Sequence, residues 1–128
     1  MSIDLGKPVL IVDDNEAMRR IMATLMGQLG FTAIVDASDG KDALEKLGQQ
    51  EVSMIISDWD MTPMTGIELL RAVRSDAKLY ALPFIMVTAQ SKTDYAVAAK
   101  EAGVSSYLVK PFTAQTLKAK LVGIFGKF

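Results

Sequence analysis

The sequence predicts an α/β protein: a doubly wound parallel sheet of five strands with five helices on its two faces. Three observations carry this. Short, unbroken apolar runs recur along the chain, as expected of strands buried on both faces. Between them, apolar residues repeat at three and four positions, the spacing of a helix with one buried side. The two patterns alternate five times over 128 residues, a length that suits one domain spanning residues 1–128.

Val9–Val12 is wholly apolar and predicts the first strand, with Asp13 and Asp14 directly after it. Met18, Ile21, Met22, Leu25 and Leu29 then recur at helical spacing, and Gly30 is placed to end that helix. Residues 32–35 predict the second strand, and Ala43, Leu44 and Leu47 mark the helix after it. The third strand is expected over 53–57, with Met54-Ile55-Ile56 at its centre and Asp58 at its end. A helix over 66–74 turns Leu69, Leu70 and Val73 inward. Residues 84–87 predict the fourth strand, followed by an alanine-rich helix over 93–102 that Gly103 closes. Tyr107-Leu108-Val109 is the fifth strand. Thr113 caps a last helix carrying Leu117, Leu121, Ile124 and Phe125. No linker, repeat or low-complexity segment interrupts this order, and no output domain is expected after the fifth helix.

Composition excludes several chemistries. The chain contains no cysteine and no histidine. Disulfides, thiol catalysis, Cys- or His-ligated metal, Ser-His-Asp chemistry and a phosphohistidine on this chain are therefore ruled out. A net charge of −1 offers no basic excess for nucleic acid or an anionic membrane surface. The apolar runs, such as residues 9–12 and 81–87 with a proline inside, fall far short of the ~20 residues of a membrane span. The N-terminus lacks the order of a secretion signal, so a cytoplasmic protein without membrane insertion is expected.

The polar residues that punctuate the strands fall on one edge. In an open parallel sheet, ligands bind outside the carboxyl ends of the strands, where the strand order reverses. Asp13 and Asp14 follow the first strand, Asp58 the third, Thr88 the fourth and Lys110 the fifth. Any one of them has a bland explanation: a solvated acid, a helix-entry hydroxyl, a surface lysine. The set does not, because tight turns alone do not require these types at these ends. Two unit charges about 4 Å apart repel by about 4 kcal/mol at an effective dielectric near 20. Clustered carboxylates therefore ask for a cation or for raised pKa values. Oxygen ligands without His or Cys favour Mg²⁺. A carboxylate can attack phosphorus to form an acyl phosphate, with Mg²⁺, Lys110 and the Thr88 hydroxyl countering the phosphoryl charge.

Val12-Asp13-Asp14, Ser57-Asp58-Trp59, Met86-Val87-Thr88-Ala89 and Tyr107-Leu108-Val109-Lys110-Pro111-Phe112 resemble the motifs of response-regulator receiver domains. Met18-Arg19-Arg20-Ile21, Ala81-Leu82-Pro83 and Phe112-Thr113-Ala114 extend the likeness nearly end to end, towards the branch of single-domain chemotaxis regulators. The resemblance implies a flavodoxin-like fold with strand order 2-1-3-4-5 and a switch in two-component signalling. By resemblance, Asp58 would accept the phosphoryl group from a sensor histidine kinase, with the chain catalysing only its own phosphorylation and dephosphorylation. Asp13, Asp14, Asp58 and the backbone carbonyl of Asp60 would hold Mg²⁺. Lys110, across a cis bond to Pro111, would pair with the phosphoryl group. Thr88 and Tyr107 would form the switch, and Asp60 and Gln90 would tune phosphoryl lifetime. Output would leave through Lys92, Tyr107 and Lys120, on the face of the fourth helix, fifth strand and fifth helix. A flagellar motor switch protein and a phosphatase would be further partners of a monomeric chain.

Without the resemblance, Tyr107 reads equally well as half-buried packing, and Trp59 as core or as a cover over the site. The stretch Met61-Thr62-Pro63-Met64-Thr65-Gly66 places its proline one residue later than receivers usually do, and Gly123 and Gly126 are expected to loosen the last helix. Two rival readings remain. A receiver could instead serve as a phosphorelay intermediate or kinase regulator. Asp58-Trp59-Asp60-Met61-Thr62 also fits the D-x-D-x-T signature of haloacid-dehalogenase phosphatases. Against that enzyme stand an acid pair at the N-terminus, a motif after the third strand and no cap domain.

Overall fold

The computed structural model describes residues 4–89 and 93–126. Its elements alternate without exception: β1 (Val9–Val12), α1 (Glu16–Gln28), β2 (Ile34–Ala37), α2 (Gly40–Gln49), β3 (Met54–Asp58), α3 (Gly66–Ser75), β4 (Phe84–Thr88), α4 (Thr93–Glu101), β5 (Ser106–Val109) and α5 (Ala114–Phe125). All pairings are parallel and the sheet runs β2-β1-β3-β4-β5, as expected. The order reverses between β1 and β3, whose registered pairs include Val12 and Ser57. Asp13 and Asp58 therefore leave the sheet side by side.

Alternation along the strands divides the core into two leaves. Leu10, Val12, Ile55, Phe84 and Met86 pack against α2 and α3, where Leu69, Leu70 and Val73 are buried as predicted. Val9, Ile11, Ile56, Ile85 and Val87 face α1 and α5, meeting Met22, Met26, Leu117, Leu121 and Phe125. Each large apolar side chain withdrawn from water contributes roughly 1.5–3 kcal/mol, and both leaves converge on the strands that carry the acids.

Several boundaries differ from expectation. β2 starts at Ile34, not at residue 32, because Thr32 is spent on the N-terminal segment: its N–H and hydroxyl both donate to the Leu5 carbonyl. It also runs on through Asp36 to Ala37, since an edge strand tolerates an exposed acid. β3 lies one residue later than expected and takes in Asp58, registered with Val87. β4 takes in Thr88, paired with Val109.

Helix ends follow their capping chemistry. Asn15, Asp39, Thr65 and Thr113 each accept a backbone N–H in the first turn, and Thr65 with Glu68 forms a reciprocal capping box. In α1 the buried residues are Met22 and Met26, whereas Ile21 is 51% exposed. One residue from Met22 is about 100° around the helix, so Ile21 leaves the buried stripe. Gly123 does not interrupt α5, which continues to Phe125 before Gly126 takes φ +81 at its end. Among the described residues no helix is long and apolar enough to cross a membrane.

Candidate functional site

β1 and β3 deliver their acids to one point. Oxygens of Asp13, Asp14 and Asp58 lie within 4.8 Å of one another. Asp13 and Asp58 are almost wholly buried, at 4% and 8% exposure, while Asp14 is open to solvent. Local contacts hold them in place. Asp13 Oδ1 accepts the Asn15 N–H at 2.9 Å, and the Asp13 N–H donates to the Ala37 carbonyl at 3.1 Å. The buried Ser57 hydroxyl donates to the Asp58 carbonyl at 2.9 Å.

Lys110 reaches the same point from β5. Its Nζ lies 3.3 Å from Asp58 Oδ1 and 3.7 Å from Asp13 Oδ2. Its backbone N–H donates to the Thr88 carbonyl at 2.8 Å, which ties the lysine to the end of β4. The Lys110–Pro111 bond is cis, and so is Thr62–Pro63, where the displaced proline lies.

The electrostatics follow from burial. Desolvation raises the Asp13 carboxyl above its ordinary value most strongly, and Asp14 adds to it; the Asn15 N–H and Lys110 pull the other way. Asp58 is raised first by desolvation and then by the charge of Asp13, with Lys110 opposing. Three carboxylates thus face one ammonium, an anionic excess of hard oxygen donors. Those residues fit a divalent cation of the Mg²⁺ type, which neutralises the cluster and leaves room for a further oxygen ligand. An ionised carboxylate in such a cluster is also chemically competent to attack phosphorus.

Gly66 decides how closely α3 approaches. A Cβ there would lie 2.2 Å from the Asp58 carbonyl oxygen and 2.9 Å from the Trp59 Cα, a contact no side chain survives. The intervening loop is pinned by buried Met61 and by Met64, which lies so close to Gly40 of α2 that a Cβ there would meet its Cγ and Sδ at 2.7 Å.

The remaining predicted residues surround this centre. Thr88 is fully buried at the end of β4, and Tyr107 lies on the neighbouring strand, registered with Met86. Burial raises the Tyr107 phenol, with Tyr95 and Asp60 adding to the effect. Asp60 is exposed and is not among the clustered acids. Lys120 is half-buried on α5, and Gln90 and Lys92 lie outside the described residues. Trp59 is half-buried and joins an aromatic cluster: it stacks on Tyr95 at 4.8 Å between centroids and meets Tyr107 edge-on at 6.4 Å. Sequence reasoning did not single out Tyr95; its one signal was an aromatic residue in an otherwise alanine-rich helix. Ser57 and Gly66 were likewise not assigned a role, since a backbone contact leaves no mark in residue type.

A groove of about 750 Å³ lies elsewhere. It is lined by Leu44, Leu47, Val52, Leu79 and Leu82, at the opposite ends of the strands, and holds no comparable cluster of acids. The carboxyl edge is the better site because the charged groups converge there.

Comparison with known proteins identifies the family. The family model described as the response regulator receiver domain matches residues 9–122. The chemotaxis protein CheY of Pseudomonas aeruginosa is 51% identical over 117 residues, covering 91% of this chain and 94% of that protein. Chemotaxis protein CheY-3 of Vibrio cholerae is 46% identical over 117 residues, covering 91% and 90%. Among solved structures, Vibrio cholerae CheY4 superposes with a TM-score of 0.85 at 32% identity, covering 93% of this chain and 98% of that one. A match across nearly the whole sheet, joined to relatives of this identity, settles the family: the chain belongs to the response-regulator receiver domains.

Proposed function

We propose that the protein is a phosphorylation-controlled signalling switch of the chemotaxis type, acting in the cytoplasm, with Asp58 as its phosphoryl acceptor. The observation that carries this reading is the meeting of Asp58, Asp13 and Lys110 at the reversal of strand order. The chemotaxis relatives at 46–51% identity favour that branch over a phosphorelay intermediate.

In the proposed reaction an ionised Asp58 oxygen attacks phosphorus, a P–O bond forms, and the P–N bond to the donor histidine breaks, its electron pair leaving with the imidazole. Mg²⁺, when bound by Asp13, Asp14, Asp58 and the Asp60 carbonyl, supplies charge neutralisation to the transferring group. Lys110, already beside Asp58, pairs with a phosphoryl oxygen. The histidine must come from a partner, because this chain has none. Tyr107 lies on β5, beside the strand that ends in Thr88, so a Thr88 hydroxyl drawn towards the phosphoryl group biases the Tyr107 ring and the α4-β5-α5 face. That face, with Lys92, Tyr107 and Lys120, is the proposed contact for a motor switch protein, and Val97 and Val122 expose apolar surface on its two helices. Asp60 and Gln90 tune the lifetime of the acyl phosphate.

Intact mass after treatment with a small phosphodonor and Mg²⁺ tests the core of this. Wild type gains one phosphoryl group and Asp58→Asn gains none; an adduct that survives in Asp58→Asn would mean another acceptor. Equal decay rates for the wild type and an Asp60→Asn, Gln90→Glu double variant would remove the tuning role.

A further inference from the structure

The turn between β1 and α1 carries two of the three clustered carboxylates, and beyond the Asp13 N–H, which still donates to Ala37 of β2, its main chain has left the ladder. The carbonyl of Asp13 is taken up instead by Arg19, whose Nη1 donates to it at 2.8 Å. Arg19 is itself held at its other end. Its Nε donates to Asp36 Oδ2 at 2.9 Å, and its side chain is 17% exposed. Asp36 is fixed in turn: it is registered with Ile11, and Lys46 of α2 donates to its carbonyl. One planar guanidinium therefore bridges the edge strand to the peptide of Asp13. Arg20, one residue on, is 76% exposed and pairs with Glu16 on its own helix.

We propose that Arg19 is a positioning residue for the divalent cation, orienting the Asp13 carboxylate by fixing that residue's peptide, with Asp36 as its anchor. The inference rests on reading Asp13, Asp14 and Asp58 as a Mg²⁺ site. Its basis is geometric. The cation facing the Asp13 carboxylate is Lys110, whereas Arg19 meets the main chain. Mg²⁺ demands near-ideal octahedral geometry, so a small rotation of one ligand weakens binding. Groups that orient metal ligands are typically worth 10–100-fold in affinity. A lysine at position 19 keeps the charge but cannot make both bonds from one rigid fork.

Calorimetric titration with Mg²⁺ at constant ionic strength tests the proposal, with circular dichroism and urea unfolding recorded for each variant. Arg19→Ala and Arg19→Lys each weaken Mg²⁺ roughly tenfold, the lysine variant retaining the side-chain stem and with it the fold. Arg20→Ala, which removes the same charge from the same helix, binds as wild type does. Asp36→Leu weakens binding as Arg19→Ala does, and the double variant falls no further. Wild-type affinity in Arg19→Ala overturns the proposal, as does retained affinity in Arg19→Lys or an equal loss in Arg20→Ala. Wild type that takes up no Mg²⁺ removes the cation site and the inference together; unaltered binding in Arg19→Ala alone removes only the inference.

Discussion

Asp13 and Asp58 are ionisable groups in surroundings that resist their ionisation, and the consequence is a specific pH dependence. Burial raises both above the ordinary 3.8, so the folded state binds their protons more tightly than the unfolded chain does. Stability from this pair is greatest below 3.8 and is lost as pH rises through the folded-state values. In metal-free protein Asp58→Asn should therefore raise the urea midpoint at pH 7, with the gap to wild type closing as pH approaches 4; an unchanged midpoint would show that the carboxylate is not strained. Gly66 makes the opposite prediction. With the Asp58 carbonyl 2.2 Å from the position of an added Cβ, Gly66→Ala displaces α3 or β3. A loss of about 1–3 kcal/mol is expected in urea unfolding, together with slower phosphorylation of Asp58.

Elements are joined here by a few side chains that serve several of them at once. Arg74 of α3 donates to the carbonyls of Gly103, Tyr80 and Leu82, tying the ends of α3 and α4 to the start of β4. Arg74→Ala should cost about 2 kcal/mol, the loss of charge-assisted hydrogen bonds to backbone, and Arg74→Lys should recover only part of it. At the other end of α4, the Tyr95 ring on Trp59 connects that helix to the residue after Asp58. Tyr95→Ala should red-shift Trp59 emission as the indole meets water, read with Trp59 as the chain's one tryptophan. Neither tie was legible in the sequence. The repeat of Leu69, Leu70 and Val73 announces a buried helical face, but a guanidinium bound to carbonyls looks like any surface arginine. Ile21 shows the converse, an apolar residue at a plausible spacing that ends up in solvent.

Across the whole molecule, two apolar leaves hold a sheet whose carboxyl edge concentrates negative charge. A cation that binds only the folded state stabilises it by mass action. Mg²⁺ at ten times its Kd should add about 1.4 kcal/mol, seen as a higher urea midpoint that EDTA reverses and Asp13→Asn abolishes.

The alternation of apolar runs and helical repeats determined the strands, the helices and the carboxyl edge on which Asp13, Asp58, Thr88 and Lys110 fall, because burial on both sheet faces leaves so few arrangements. Residue type and strand-end position were enough to place the four. Tertiary structure alone decided what surrounds them. It brought Arg19 to the Asp13 carbonyl, Tyr95 onto Trp59 and Gly66 against the Asp58 carbonyl. It also carried β2 past its apolar residues to include Asp36. Each of these is a contact between distant segments or with the main chain, and main-chain atoms are the same at every position; only packing determines which one a side chain meets.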